Sequence, residues 1–157
     1  MLKLFPDTPT TEHLFDAHIT LATPEQIGAT PHGLRSVHVV AGGTFDGPRL
    51  RGEIRPGGAD WLLSFAGGYN ELDVRLTMQA DDGALIFMSY RGVLQVDNAV
   101  IARVMAGEEV DPSSYYFRTA PRFETGSEKH AWLNTQVAIA YGYFGAQKVG
   151  YRVFGVL

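Results

Sequence analysis

The chain has 157 residues, 45% of them hydrophobic and 19% charged, with a formal net charge of -4. That length suits one domain around one core, the composition excludes disorder, and scattered arginines with a pI near 5.7 exclude the basic stripe of a nucleic-acid binder. The absence of cysteine excludes disulfides, thiolate catalysis and cysteine-bound zinc.

A chain of this size without disulfides fits a reducing compartment, so the cytoplasm is the expected location. The opening run Met1-Leu2-Lys3-Leu4-Phe5-Pro6-Asp7 has neither a long apolar segment nor a small-residue cleavage site, and no secretion signal is expected. No apolar stretch reaches the roughly 18 residues of a membrane span. The 18 glycines recur near the ends of β-patterned segments, as bulges, tight turns and barrel corners require.

In chain order, residues 13–21 read as a first strand that ends before Thr23-Pro24. Thr30-Pro31-His32-Gly33 is a turn. Residues 34–45 form a long strand with a potential break at Gly42-Gly43, Asp46-Gly47-Pro48 turns the chain, and residues 49–55 return. After Pro56-Gly57-Gly58, residues 61–65 are a strand that leads into the loop Gly67-Gly68-Tyr69-Asn70. Residues 71–80 alternate strictly, with Leu72, Val74, Leu76 and Met78 on one face and Asp73, Arg75, Thr77 and Gln79 on the other. Asp82-Gly83 is the two-residue signal of a type I′ hairpin, and residues 84–91 are the partner strand. A loop of those two residues pairs Asp81 with Ala84, and counting back sets Thr77 opposite Met88 and Arg75 opposite Tyr90.

One helix is expected after Asp97 or Asn98, either of which can cap it, with an apolar stripe of Val100, Ile101, Val104 and Met105 and an end at Gly107. Residues 115–119 are a strand, residues 127–133 a helical turn capped by Ser127, and residues 135–144 with 147–156 a closing hairpin. The total is about nine or ten mostly antiparallel strands and one short helix. The expected fold class is therefore all-β: a single antiparallel β-barrel domain spanning residues 1–157, because closure removes exposed edges, with a β-sandwich as the alternative.

Several runs together carry a family resemblance. They are residues 41–48 (Ala-Gly-Gly-Thr-Phe-Asp-Gly-Pro), Gly57-Gly58-Ala59-Asp60-Trp61, Leu72-Asp73-Val74-Arg75 and Asp81-Asp82-Gly83-Ala84. Later come Tyr115-Tyr116-Phe117-Arg118-Thr119, Pro121-Arg122-Phe123-Glu124-Thr125 and Trp132-Leu133-Asn134. In this order, from about His13 to the C-terminus, the chain resembles the DUF3237 family, also called UPF0311. The resemblance implies a single-domain β-barrel of mainly bacterial and fungal occurrence and brings no settled mechanism.

Candidate sites follow from the polar residues. Asp60 leaves a glycine turn beside Trp61, at a strand end near a barrel rim. Asp73 and Arg75 share a face with Thr77 and, in the two-residue register, Tyr90. An acid, a guanidinium and a phenol on one face can bind and protonate a small oxygenated molecule, although the same face can simply be solvated. One register of the two strands sets Asp60 opposite Arg75, and a one-residue slip puts them on opposite faces. Tyr116 and Arg118 share the next face. A tyrosine beside an arginine can serve as acid or oxyanion donor, and Glu124 is a base if buried. The competing reading is a structural Arg118–Glu124 ion pair. Trp132 walls a pocket or plugs the barrel end, and Asn134 either joins the site or bonds local turn backbone.

The histidines ask for no metal: a strand sets His13 and His18 on opposite faces, while His32, His38 and His130 stand apart. No nucleophile elbow surrounds the serines, and neither glycine pair is a phosphate loop. The expectation is a cofactor-independent acid–base enzyme, an isomerase, hydratase, lyase or cyclase, acting on a mostly apolar or aromatic oxygenated ring compound. Asp60, Asp73 or Glu124 is its base, Tyr116 its acid, and Arg75 or Arg118 its anion clamp. The alternatives are a carrier barrel for a small hydrophobic ligand and a structural protein. Each is compatible with a homo-oligomer, whose contact Tyr141, Tyr143, Phe144, Tyr151 and Phe154 can supply if they do not merely close the barrel. Neither a nucleic-acid nor a membrane partner is expected.

Overall fold

The computed structural model describes residue 2 and residues 4–157. Met1 and Lys3, part of the N-terminal run read above, lie outside the described residues. Among the described residues there are β1 (Thr11–Leu21), β2 (Glu25–Thr30), β3 (Gly33–Asp46), β4 (Gly52–Ile54), β5 (Ala59–Ser64), β6 (Tyr69–Ala80), β7 (Leu85–Gln95), α1 (Asn98–Met105), β8 (Tyr116–Glu124), β9 (Ala138–Gly145) and β10 (Lys148–Val156).

Every pairing is antiparallel. The path β3–β1–β10–β9–β8–β7–β6–β5 returns to β3, so eight strands close a barrel and β2 and β4 are additions to it. Closure rests on the β1–β3 seam, from Asp16 opposite Asp46 to Leu21 opposite Val40. The seam excludes the sandwich alternative, which would leave these edges unpaired. The long β3 makes closure possible: its first half pairs with β2 and β5, its second half with β1 and β4.

The alternation of β6 is realised as read, with Leu72, Val74, Leu76 and Met78 at most 4% exposed. Its register against β7 differs from the expected one. The Ala80 N–H donates to the Ala84 carbonyl, Gly83 has φ +87°, and Val74 stands opposite Tyr90 with Arg75 opposite Ser89. The loop is therefore Asp81-Asp82-Gly83, a three-residue turn whose glycine takes the left-handed position. The Asp82 side chain, accepting the Ala84 N–H at 3.0 Å, supports the longer turn. This one extra residue moves Tyr90 from the Asp73–Arg75 face to the barrel interior.

Other elements differ in smaller ways. Residues 25–30 form β2, an outlying strand with weak alternation that the sequence does not announce. The return expected over 49–55 shrinks to β4, and β7 runs on to Gln95. Asp97 occupies the N-cap position of α1 without a side-chain cap bond. The later turn sits at Ala131–Thr135, and Ser127 donates its N–H to Thr125 Oγ1 instead of capping. A bulge after His13 buries both Leu14 and Phe15 and brings His13 to the outer face, where it meets Asp16 at 2.9 Å. His13 and His18 thus do not lie on opposite faces as expected.

The interior is divided. At one end Phe15, Phe45 and Phe123 meet edge-on, with ring centroids 5.6 and 5.9 Å apart. Met78, Ile86, Met88 and the fully buried Leu133 fill the rest of that end. Beside Leu133, the half-buried Trp132 packs against the same core, with the Arg49 guanidinium 3.8 Å from its ring. The other end, beneath α1 and the β9–β10 turn, is not filled. No helix among the described residues is long and apolar enough to cross a membrane.

Candidate functional site

The unfilled end holds a cavity of about 270 Å³, near the lower end of the roughly 300–1,000 Å³ common for ligand pockets. Its walls are mainly apolar, from Ile19, Val40, Leu62, Val74, Phe117 and Phe144, with Ile101 and Met105 of α1 over them. Five titratable side chains line the same space: His38, Asp60, Tyr90, Tyr151 and, beside the β9–β10 turn, Lys148.

Strand register explains the convergence. Inward positions on β3 are Ser36, His38 and Val40, and His38 stands opposite Asp60 on β5. Asp60 stands opposite Val74 on β6, and Val74 opposite Tyr90 on β7. Tyr151 enters from β10, its ring edge-to-face with Tyr90 at 5.1 Å and with Phe117 at 5.5 Å.

Asp60 sits where the β5–β6 ladder is interrupted. Pairs form at Ala59–Arg75 and Asp60–Val74, then again at Leu63–Glu71 and Ser64–Asn70, but not between. In the gap, the Asp73 N–H donates to Asp60 Oδ1 at 3.0 Å, and Arg35 Nη1 donates to the Trp61 carbonyl at 2.7 Å. Two backbone groups released by the interruption are thus satisfied by side chains. Burial raises the Asp60 carboxyl to about 7. The Asp73 N–H works against this, the Asp73 charge adds to it, and the Arg35 charge opposes it.

The other polar groups are tuned as well. Burial lowers the His38 imidazole, and its Nε2 meets Ser36 Oγ at 3.0 Å. Burial drives both phenols upward, Tyr151 well above its ordinary value. The neighbouring Tyr151 hydroxyl partly offsets the rise at Tyr90, while the Tyr90 hydroxyl adds to the rise at Tyr151. Farther along, the Ser64 hydroxyl donates to Asn70 Oδ1 at 2.6 Å, and Asn70 Nδ2 donates to the carbonyls of Gly68 and Leu94, each at 3.1 Å.

Of the residues singled out in the sequence, Asp60 and Tyr90 face the cavity. Asp73, Arg75 and Trp61 lie on the outer side, where Asp73 meets Arg75 at 3.5 Å and Arg91 at 3.3 Å, and Arg75 lies 5.2 Å from the Trp61 ring. Tyr116, 53% exposed, lies on the outer wall with Arg118. The Arg118 guanidinium stacks on Tyr141 at 3.8 Å and Tyr116 at 4.9 Å. Its Nη1 donates to the Phe117 carbonyl, so it has aromatic and backbone partners in place of the expected Glu124. Glu124 is exposed beside Asn134 on the outer surface. Asn134 brackets the backbone of Thr125, accepting its N–H at 2.8 Å and donating to its carbonyl at 3.0 Å. Among the described residues no group of three or more His, Asp or Glu is placed to hold a metal ion.

His38, Tyr151, Ser64 and Asn70 escaped the sequence reading. His38 is hidden by its valine neighbours, yet it shares its alternating face with Ser36 and Val40. Tyr151 shares its face with Val149 and Val153, a signal that it points inward.

A family profile described as "Protein of unknown function (DUF3237)" matches residues 9–156. A UPF0311 protein of Clostridium acetobutylicum is 36% identical over 129 residues, which cover 82% of each chain. Among solved structures, a β-barrel-like protein from Acinetobacter baumannii superposes with a TM-score of 0.85 at 31% identity, covering 99% of this chain and all of that one. A protein described as an enzyme from Penicillium herquei superposes with a TM-score of 0.72 at 22% identity, with 99% and 100% coverage, a likeness of fold alone.

Proposed function

The chain belongs to the DUF3237 family of proteins of unknown function, and from its cavity we propose that it is a cofactor-independent acid–base enzyme for a small, mostly apolar, oxygenated ring compound. The observation that carries this reading is the convergence of His38, Asp60, Tyr90 and Tyr151 in one mainly apolar cavity. A carrier needs shape and apolar area, whereas two or more titratable groups at one end of a hollow barrel are the equipment of proton transfer.

In this reading Asp60 is the base. A carboxyl held near 7 is populated in both protonation states at neutral pH, so it can take a proton from the ligand and return it elsewhere. Its Oδ1 is fixed by the Asp73 N–H, leaving Oδ2 for the ligand. Tyr90, kept protonated by burial and lining the same cavity, is the donor to a ligand oxygen. His38, held neutral by burial, is a second site for a proton. Isomerisation moves a proton from one ligand atom to another; elimination takes a proton from carbon while a protonated hydroxyl departs as water, hydration is the reverse with water as co-reactant, and cyclisation adds a deprotonated ligand hydroxyl to an electrophilic carbon whose oxygen receives the proton. The Penicillium herquei enzyme indicates that this fold carries catalysis in another protein.

The test begins with native mass spectrometry of the protein after incubation with cell extract, followed by turnover assays on the retained compound. Asp60→Asn is expected to slow turnover by ~10²–10⁴-fold and Tyr90→Phe by ~10²-fold, while Tyr116→Phe has no effect. Unchanged turnover in Asp60→Asn and Tyr90→Phe would overturn the assignment. Retention without turnover would leave a carrier.

A further inference from the structure

The interruption of the β5–β6 ladder has two sides. On the inner side the Asp60 carboxylate takes the Asp73 N–H. On the outer side the Trp61 carbonyl, which an unbroken register would pair with β6, accepts from Arg35 Nη1 at 2.7 Å. Arg35 extends from β3, where it stands opposite Leu63, and β3 pairs without interruption with β5 from Leu34–Ser64 to Val39–Ala59. The guanidinium thus anchors the middle of β5 to β3 at the place where β5 lets go of β6. If the Trp61 carbonyl were free to turn back to β6, it would compete for the Asp73 N–H that the Asp60 carboxylate now holds.

We propose that Arg35 is a positioning residue for Asp60: by holding the Trp61 carbonyl from outside the barrel, it keeps open the gap in which the Asp60 carboxylate is seated. The inference rests on the reading of Asp60 as the ligand-facing acid, and it makes one side chain on the outer surface a determinant of chemistry inside. Arg35 acts in a second way, because its charge favours the ionised carboxylate. The groups that face Asp60 from its surroundings are Arg35 and His38 on β3, Asp73 on β6, Tyr90 on β7 and Tyr151 on β10. Arg35 is the cation among them. Against its pull stand the Asp73 charge and the burial of the carboxyl.

The seat and the charge can be separated by substitution. Arg35→Gln keeps an N–H donor for the Trp61 carbonyl and removes the charge. Arg35→Lys keeps a donor and the charge, and Arg35→Met removes both. The readouts, taken by NMR on the ligand-free protein, are the titration midpoint of the Asp60 carboxyl and the pH-dependent shift of the Asp73 amide, which follows that titration while its N–H is bonded to Asp60. Arg35→Gln is expected to shift the midpoint upward and to leave the Asp73 amide following the titration. Arg35→Lys is expected to hold both near the parent values. Arg35→Met is expected to raise the midpoint and to uncouple the amide from it, its N–H having passed to the Trp61 carbonyl. A purely structural role would lower the melting temperature and move neither readout. An Asp73 amide that still follows the Asp60 titration in Arg35→Met overturns the proposal. Should Arg35→Met fail to fold, Arg35→Thr, too short to reach the Trp61 carbonyl, is read in the same way. No ligand enters the measurement, so failure to bind or turn over any compound counts against the proposed function and leaves this result standing.

Discussion

Asp60 Oδ1 accepts the backbone N–H of Asp73 at 3.0 Å across an interruption between two barrel strands. The two aspartates are thus joined through one backbone group and separated by the sheet. Asp60 looks into an apolar cavity, while Asp73 faces outward between Arg75 and Arg91. Burial on one side and two guanidinium groups on the other give two carboxylates so close in space very different surroundings.

The first consequence is a dependence of stability on pH. The folded Asp60 carboxyl titrates at about 7 against an ordinary 3.8, because burial disfavours its charge. Between these values the folded state keeps a proton that the unfolded state gives up, so the contribution of Asp60 to stability falls as pH rises from about 4 to about 7 and is level above. Asp60→Asn, which keeps an acceptor for the Asp73 N–H, is expected to stabilise the protein at pH 8 by up to ~4 kcal/mol. The gain should fade toward pH 4. Urea denaturation of both proteins at pH 4.5 and 8 measures it, and an equal difference at both values contradicts it.

The ion pair that joins β1 to β10 has the reverse sign. Arg152 holds Asp16 with Nε and Nη2 at 2.8 and 2.6 Å across the β1–β10 pair, and these bonds place the Asp16 carboxyl below its ordinary value. Its stabilisation is present above the ordinary value of 3.8 and is lost as pH falls through the lower folded value. Arg152 is 58% exposed, so Arg152→Met is expected to cost only about 1 kcal/mol at pH 7. The cost should shrink below pH 4; urea denaturation of both proteins at pH 3 and 7 measures it, and an equal cost at both values contradicts it.

Closure of the barrel depends on Gly43, which pairs with Ile19 on one side and Ile54 on the other. A Cβ added there would stand 2.2 Å from the His18 carbonyl oxygen and 3.1 Å from the Ile19 Cα. Both are backbone atoms, so β1 itself must move. Gly43→Ala is expected to destabilise by about 3 kcal/mol or more, the scale of overpacking a buried site. A calorimetric melting temperature within about 2 °C of the parent protein, less than 1 kcal/mol at this size, would contradict the role of this seam.

Filling the cavity should separate stability from binding. Leu62 lines the cavity from β5, two residues beyond Asp60. Leu62→Trp is expected to leave the melting temperature within about 5 °C of the parent, the added volume being taken up by existing space, while abolishing retention of small molecules in native mass spectrometry. Retention at the parent level would place binding elsewhere on the molecule.

The barrel was legible because alternation is a local signal: Leu72, Val74, Leu76 and Met78 announce an inward face without help from any other strand. Register was not legible, because it is fixed by turns whose length depends on a single residue. Asp81-Asp82-Gly83 carries the same dipeptide signal as a two-residue turn, and the difference decides whether Tyr90 meets Arg75 outside or Tyr151 inside. Asp60 was found because it stands at the end of a glycine turn beside a strand. Its partners His38 and Tyr151 were missed because they lie 22 and 91 residues away in the chain and meet it only when the barrel closes. Tyr116, Arg118 and Glu124 drew attention through residue type alone, and the outward side of β8 claims Tyr116 and Arg118 for aromatic stacking.

The most direct test of the central claim is an NMR titration of the protein with 2-naphthol, a bicyclic oxygenated probe, at pH 6 and pH 8. The account predicts saturable shifts at the side chains of His38, Asp60, Tyr90 and Tyr151 at both pH values, an Asp60 titration midpoint displaced by the bound probe, no shift at Tyr116 or Trp132, and no binding by Leu62→Trp. Shifts confined to the outer aromatic residues, or saturation undiminished in Leu62→Trp, would contradict it.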